Sequence, residues 1–143
     1  MSLTLNRAEI CLLRLAFWEA NADAKAFAAG VAERLRILAP GIQARLPKSL
    51  EHCVREVMVE IEAALMVAHE EDELRRATDH LAARYHKYHL PPIDVHMFRE
   101  SLLLALEARS TRSFDAARRA IWRRACADLS AAVVQASCCA QPT

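Results

Sequence analysis

Glycine and proline are so scarce in this chain that they restrict it to one structural class. Of its 143 residues, 2 are glycine and 5 are proline, whereas 28 are alanine. Sandwiches and barrels of β-strands need turn residues about every 8–12 positions, and doubly wound sheets need comparable loops. Alanine, by contrast, has the highest intrinsic helix propensity of the amino acids. The sequence therefore predicts an all-α fold.

The length and the balance of residue types indicate one folded domain that spans residues 1–143. Hydrophobic residues make up 54% of the chain and charged residues 26%, which excludes a disordered chain. No charge-free apolar stretch reaches the roughly 18 residues that a membrane span needs, so we expect no membrane partner. The sequence begins without the pattern of a secretory leader, and its five cysteines follow no zinc-binding spacing. We therefore expect a cytoplasmic protein with reduced thiols.

Charged residues are balanced overall but segregated along the chain. There are 19 basic and 18 acidic side chains, which give a net charge of +1. Residues 51–79 carry nine acids and three arginines, whereas residues 109–124 carry six arginines and one aspartate. Such runs are usually solvated helix faces, with a partner surface as the alternative. Because the net charge is close to zero, we do not expect a nucleic-acid partner.

Capping residues in the first half of the chain predict three helices. Asn6 is expected to cap the first helix, which runs to about Ala20. Asn21 or Asp23 starts a second helix, which stops at Pro40. A short turn is expected over residues 40–46, and residues 47–49 then open a long third helix.

The second half of the chain predicts three more helices, for a total of six or seven. The acidic run 70–73 suits a helix N-terminus, and this helix is expected to reach about Tyr88. Residues 91–92 are both proline and allow a fifth helix from about Ile93, and Ser113 is expected to cap the last helix. Apolar residues at helical spacing mark the inward faces. They are Ile10, Leu13 and Phe17; Phe27, Val31, Leu35 and Leu38; Leu50, Cys53, Val57, Ile61, Ala64 and Ala68; Leu74, Ala77 and Leu81; and Ala117, Ile121, Ala125, Leu129 and Val133.

Several landmark residues and motifs follow one another at a recognisable spacing. Trp18 precedes Pro40 by 22 residues. Leu46 and Pro47 follow that proline in a pattern like P-x-x-x-x-x-F-P. Residues 81–90 read LAARYHKYHL, similar to the bacterial pattern L-G-A-R-H-x-x-Y-G-V.

The same alignment continues without a gap to Trp122. Residues 100–107 read ESLLLALE, similar to E-A-L-L-W-A-L-E, and Phe114 and Trp122 follow at matching distances. With these motifs the chain resembles the globins, in particular bacterial single-domain globins and the globin domains of flavohaemoglobins. The resemblance implies the globin fold of six to seven helices around a haem pocket.

The resemblance also assigns pocket positions, and the three most characteristic ones are altered. A haem globin holds iron with an axial imidazole and leaves the opposite side open to a gas. That proximal position is Tyr85 here, the distal position is Cys53, and the position of the phenylalanine that wedges against haem is Leu46. The lining positions keep apolar residues, namely Val57, Ile61, Leu81 and Leu90.

A histidine lies next to two of the altered positions. His52 precedes Cys53 and His86 follows Tyr85, so a slide by one residue would restore a haem pair. Because a helix turns about 100° per residue, an inward His52 would also bring Glu56 inward, where a carboxylate is costly to bury. Tyr85 could itself hold ferric iron as a phenolate, and the alternative is a buried tyrosine hydrogen-bonded to a helix end.

Two functions follow from the altered pocket. The first is a divergent globin-fold sensory, regulatory or interaction domain without enzymatic activity, similar to the haem-free globin-like domains of bacterial stress regulators. Its pocket is collapsed or holds another apolar ligand, such as a fatty acid. The alternative is a globin with haem as cofactor that handles O2, NO or CO, with His86 or Tyr85 as proximal ligand to the iron. We expect a homodimer or protein partner on the last two helices, at an exposed Trp122 and at Arg118, Arg119, Arg123 and Arg124.

Overall fold

The computed structural model describes residues 4–110 and 114–140, and side chains as far as residue 134. This part of the chain contains seven α-helices and no strand, which confirms the predicted all-α class. A 3-10 turn over Asn21–Asp23 joins the first two helices. The helices are α1 (Arg7–Ala20), α2 (Ala24–Leu38), α3 (Ile42–Arg45), α4 (Leu50–Met66), α5 (Glu71–Lys87), α6 (Pro92–Arg109) and α7 (Ala116–Ala140).

Three of the six predicted helix starts are confirmed by side-chain caps. The Asn6 side chain accepts from the Glu9 amide at 2.9 Å, and the Glu9 carboxylate accepts from the Asn6 amide at 3.1 Å. This reciprocal pair is a capping box. The Ser49 hydroxyl accepts from the His52 amide at the start of α4, and the Asp23 carboxylate, one of the two candidates, accepts from the Ala26 amide at the start of α2. Short polar side chains therefore begin these helices where the sequence indicates.

At two places a helix starts differently from the prediction, or the predicted cap lies outside the described residues. The turn expected over residues 40–46 contains the four-residue helix α3, because Ile42 buries its side chain in the core and so holds one helical turn there. Ser113, expected to cap α7, lies outside the described residues. The Asp115 carboxylate instead accepts from the Arg118 amide at 2.9 Å at the beginning of α7.

The helices pack in two groups that share α4 and α6. Helix α2 lies against α6 and α4, α5 lies against α7 and α4, and α1 crosses α4, α6 and α7. The Phe17 ring of α1 meets Phe27 edge to face at 5.7 Å and stacks on Trp122 at 6.5 Å. Aromatic packing therefore joins α1 to both α2 and α7.

Three of the predicted inward or outward positions are wrong. Leu38 is 39% exposed, because α2 ends there and the next residue, Ala39, enters the core instead. Trp122 is 2% exposed rather than solvent-facing. The inner face of α7 is centred on Trp122, and Ala117 is exposed because five residues turn a helix by about 140° from that face.

The arginine cluster of α7 is engaged within the chain. Each of the four arginines that were expected to form a partner face contacts a carboxylate of the same molecule. These exposed pairs contribute little stability but compensate the basic run. The pairs are Arg118–Asp115, Arg119–Glu107, Arg123–Glu100 and Arg124–Glu9.

Among the described residues, no helix combines the length and the apolar composition that a membrane span requires.

Candidate functional site

An apolar cavity of about 40 Å³ lies between α4, α5, α6 and α7. Its wall consists of side chains that the amphipathic pattern of these helices turns toward the core. Almost all of the lining is hydrocarbon or aromatic, and four of the lining residues carry a polar group elsewhere in the side chain or at its end. The apolar lining residues are Ile61, Leu65, Leu81, Val95, Phe98, Leu102, Trp122, Ala125, Leu129 and Val133, and the polar ones are Tyr85, Arg99, Cys126 and Ser130.

Tyr85, the residue at the predicted proximal position, lies in this wall. It is 8% exposed and its ring meets Phe98 edge to face. Burial raises the pKa of the Tyr85 phenol well above its ordinary value, and the neighbouring Cys126 thiol raises it further. The hydroxyl group is therefore neutral, whereas an iron ligand would have to be the phenolate.

The two histidines next to the altered positions lie outside the cavity wall. His86 is exposed, and its ring is 6.3 Å from that of His89, which is also exposed. His52 is exposed as well, and its Nε2 atom lies 2.6 Å from the Glu56 carboxylate. Neither imidazole reaches the side of its helix on which Tyr85 or Cys53 is buried.

The other predicted pocket positions divide between the cavity and the general core. Ile61 and Leu81 line the cavity together with Tyr85, and the remaining positions do not. Cys53 is buried, with its thiol 3.9 Å from the Lys48 carbonyl, and burial raises its thiol pKa. The others pack elsewhere in the core: Val57 is buried, and Leu46 and Leu90 are half-buried.

Arg99 is the polar residue of the cavity that sequence reasoning missed. Its guanidinium donates to the Ser130 hydroxyl at 3.0 Å and to His96 Nδ1 at 2.5 Å. Both acceptors are neutral, because a guanidinium only donates and the imidazole must therefore offer a lone pair. No carboxylate among the described residues forms an ion pair with Arg99. Only the spacing of three residues between His96 and Arg99 could have indicated their contact.

Two buried polar groups lack a hydrogen-bond partner within the described residues. They are the indole N–H of Trp122, which lines the cavity, and the hydroxyl group of Tyr88. Buried polar groups are nearly always hydrogen-bonded, so these two groups are exceptions whose hydrogen-bonding capacity is unsatisfied. Trp122 therefore carries an unused buried donor on a residue that lines the cavity.

Tyr88 belongs to a second polar cluster, between α4 and α5. Its hydroxyl group faces the Glu56 carboxylate outside good hydrogen-bond geometry. The Tyr88 hydroxyl group nevertheless makes the largest contribution to lowering the pKa of Glu56, which is about 2. Arg84 and Lys48 lower this pKa by smaller amounts. Arg84 also binds the Glu60 carboxylate at 3.1 Å. This cluster ties α4 to α5 by charge, on residues that do not line the cavity.

The residues of the cavity do not fit haem. Pockets for ligands of drug size measure about 300–1,000 Å³, whereas this cavity measures about 40 Å³. No imidazole lines it, and the tyrosine that does is held as a neutral phenol. The space is enough for a few water molecules and not for a porphyrin.

No protein-family model matches the chain, and no curated protein matches it either. The globin resemblance therefore rests on the motifs quoted from the sequence. The cavity, its apolar wall and the position of Arg99 are properties of this chain itself.

Proposed function

We propose that this chain is a divergent, haem-free globin-like domain with a sensory or regulatory role. In this role its cavity binds an anion that carries an apolar tail. The observation that carries the proposal is Arg99, a cation without a carboxylate partner at the edge of an apolar cavity. The role is binding rather than catalysis.

The succession of helices supports the globin-like part of the proposal. A short helix follows Pro40, and two longer helices, α4 and α5, come next and contribute to the cavity. Tyr85, the residue aligned with the proximal imidazole, is in the cavity wall, and Trp122 of the last helix also lines the cavity. A globin whose haem is absent must close its pocket, and this cavity is small because Phe98 and its neighbours fill the space.

The comparison of Arg99 with the arginines of α7 supports the anionic ligand. Arg119 and Arg123 of α7 each contact a carboxylate, so they are compensated without a ligand. Arg99 has only neutral acceptors, and its guanidinium presents further donors for a carboxylate or sulfonate. Because Ser130 is also a lining residue and its hydroxyl group is bound to Arg99, an anionic head group at the edge of the apolar wall would have two donors within reach.

The small volume of the cavity supports a regulatory role. A tail of several carbon atoms is larger than the few water molecules that the cavity accommodates, so we expect its entry to displace lining side chains and the helices α4, α5, α6 and α7 that carry them. Packed helices respond to such a change by shifting as units rather than by deforming. A bound ligand would thereby change the outer surface of these helices, and a partner protein could recognise the changed surface.

Calorimetric titration with sodium decanoate tests the proposal. We expect saturation at one equivalent, and at least about tenfold weaker binding by Arg99→Gln, because a charge-assisted contact is lost. Arg123→Gln is the matched control, since this arginine contacts Glu100 and does not line the cavity. The absence of saturable binding, or equal affinity of Arg99→Gln and the wild type, would overturn the proposal.

Haem remains the second candidate, because Tyr85 lies in the cavity wall. Titration with hemin decides it. We expect no Soret band that saturates at one equivalent, since the cavity is too small and the phenol is neutral. A saturating band that Tyr85→Phe abolishes would instead make Tyr85 an iron ligand, and one that His86→Ala abolishes would assign His86.

A homodimer through the last two helices also remains a prediction. Leu104 of α6 and Val134 of α7 are 45% and 60% exposed. Among the described residues that follow Ile93, they are the large apolar side chains that these two helices expose to solvent. Sedimentation velocity of the wild type and of Leu104→Ser tests it. A monomer at high concentration would remove this prediction without affecting the ligand site.

A further inference from the structure

We infer that His96 controls the affinity of the Arg99 anion site, so that acidification strengthens anion binding. This inference rests on the proposed anion-binding function. His96 Nδ1 accepts from Arg99 Nη2 at 2.5 Å, while Arg99 Nη1 donates to the Ser130 hydroxyl at 3.0 Å. The imidazole thus occupies the Nη2 group, one of the two terminal groups with which the guanidinium would bind an anion.

The contact between these two residues exists only in one protonation state. A guanidinium has five N–H donors and no acceptor, so the bond requires the lone pair of His96 Nδ1. When Nδ1 takes a proton from solvent, both partners become cations and both become donors. The bond is then lost, Arg99 is free to turn its Nη2 group to another acceptor, and a second positive charge stands beside it. Each of these changes favours an anion.

The other titratable groups around the guanidinium do not change their charge near neutral pH. Imidazoles exchange their proton between about pH 5 and 8. Tyr85 of α5 and Cys126 of α7 also line the cavity, and burial raises the pKa of the phenol and raises that of the thiol to about 12. Both therefore stay neutral across this range.

Permanent charges nearby do not compete for the imidazole. Glu100 of α6 and Arg123 of α7, which influence the Cys126 thiol, form an ion pair with each other. Helices α1 and α2 also pack against α6, but among the described residues no charged side chain of theirs forms an ion pair with His96 or Arg99. The positive charge of a protonated imidazole therefore interacts mainly with Arg99 and with the ligand.

The test uses decanesulfonate, whose head group stays ionised at every pH used. We expect the wild type to bind it about tenfold more tightly at about pH 5.5 than at about pH 8, since one charge is added close to the head group. His96→Gln keeps a neutral acceptor but does not titrate, and we expect its affinity to be the same at both pH values. His69→Gln is the matched control, because His69 Nδ1 also contacts an arginine, Arg14, at 3.0 Å outside the cavity.

The outcomes separate the inference from the function on which it rests. Equal wild-type affinity at both pH values, or a pH dependence that persists in His96→Gln, overturns the inference and leaves the anion site standing. Failure of decanesulfonate to bind at either pH overturns the inference as well, and decanoate binding then still supports the proposed function.

A measurement without ligand provides a second test. The Arg99 side-chain Nε–H signal in nitrogen-15 NMR should shift between about pH 8 and pH 5 in the wild type. It should not shift in His96→Gln. A signal that ignores pH in the wild type contradicts the contact on which the inference depends.

Discussion

Tyr85 and Phe98 meet edge to face, with ring centroids 6.4 Å apart and ring planes at 69°. The first belongs to α5 and the second to α6, and both line the cavity. The pair joins these two helices at the wall of the cavity. Its neutral phenol and its phenyl ring make this wall apolar and keep the cavity narrow.

Truncation of Phe98 should be among the most damaging changes in the core. We expect Phe98→Ala to lower the free energy of unfolding by about 3–5 kcal/mol, because a 4% exposed ring is removed and leaves a void. Urea denaturation measures the loss. Leu104→Ala is the control on the same helix, and its 45% exposure predicts a loss below about 1 kcal/mol. Equal losses for the two variants would mean that Phe98 does not pack as described.

The ion pair between Arg45 and Asp94 should couple more strongly than a surface pair. Asp94 has a side chain that is 5% exposed, whereas that of Arg45 is 47% exposed. A double-mutant cycle with Arg45→Met and Asp94→Asn should give a coupling of about 1–2 kcal/mol, less than for a fully buried pair. The pair Arg36–Glu51, exposed on both sides, should give less than about 1 kcal/mol. A larger coupling for the surface pair would contradict this ranking.

The local features of this fold could be predicted from the sequence because they depend on neighbouring residues. Asn6, Ser49 and Asp23 cap the helices that the sequence indicates, and the burial of Tyr85 follows from the apolar stripe of α5. Features that depend on how helices meet were not predicted. The sequence pattern made Trp122 an exposed residue, although α1 covers it through Phe17.

The candidate site shows the same division. Ile61, Leu81 and Tyr85 were predicted as pocket residues and line the cavity. Arg99 was not, because its environment is created by Ser130, 31 residues away on another helix. A charged residue on an amphipathic helix is normally solvated, and only the tertiary packing of α6 on α7 places this one at a cavity.

The acid stability of the protein should depend on Glu56. Its pKa is lowered to about 2, first by the Tyr88 hydroxyl group and then by Arg84 and Lys48. A carboxyl group with a lowered pKa in the folded state contributes stability above its ordinary value of 4.5, and this contribution is lost as the pH falls toward 2. Glu56→Gln should therefore lose less stability than the wild type between about pH 5 and pH 2.5.

The control for this prediction lies on the same helix. Glu62 forms no ion pair among the described residues, so Glu62→Gln should lose stability with acid as the wild type does. Tyr88→Phe should raise the pKa of Glu56, which carbon-13 NMR of the carboxyl group can follow. An unchanged pKa in that variant would remove Tyr88 as the main cause.

The described cysteines should differ sharply in reactivity. Cys11 is exposed, whereas Cys53 and Cys126 are buried, and burial raises the pKa of both buried thiols, that of Cys126 to about 12. Because the thiolate is the nucleophile, these two should resist Ellman's reagent at about pH 8. In a variant with Cys138 and Cys139 replaced by serine, one thiol should react quickly and two only in denaturant. Rapid reaction of a second thiol in the native protein would contradict the burial of Cys53 or Cys126.

The two tryptophans should report on different parts of the molecule. Trp18 is 47% exposed, whereas Trp122 is 2% exposed and lines the cavity. In Trp18→Phe the remaining emission should be blue-shifted and resist quenching by iodide, and in Trp122→Phe the remaining emission should be red-shifted and readily quenched. Because only Trp122 lines the cavity, decanoate should change the emission of Trp18→Phe and leave that of Trp122→Phe unchanged. A ligand response that survives in Trp122→Phe would place the binding site away from this cavity.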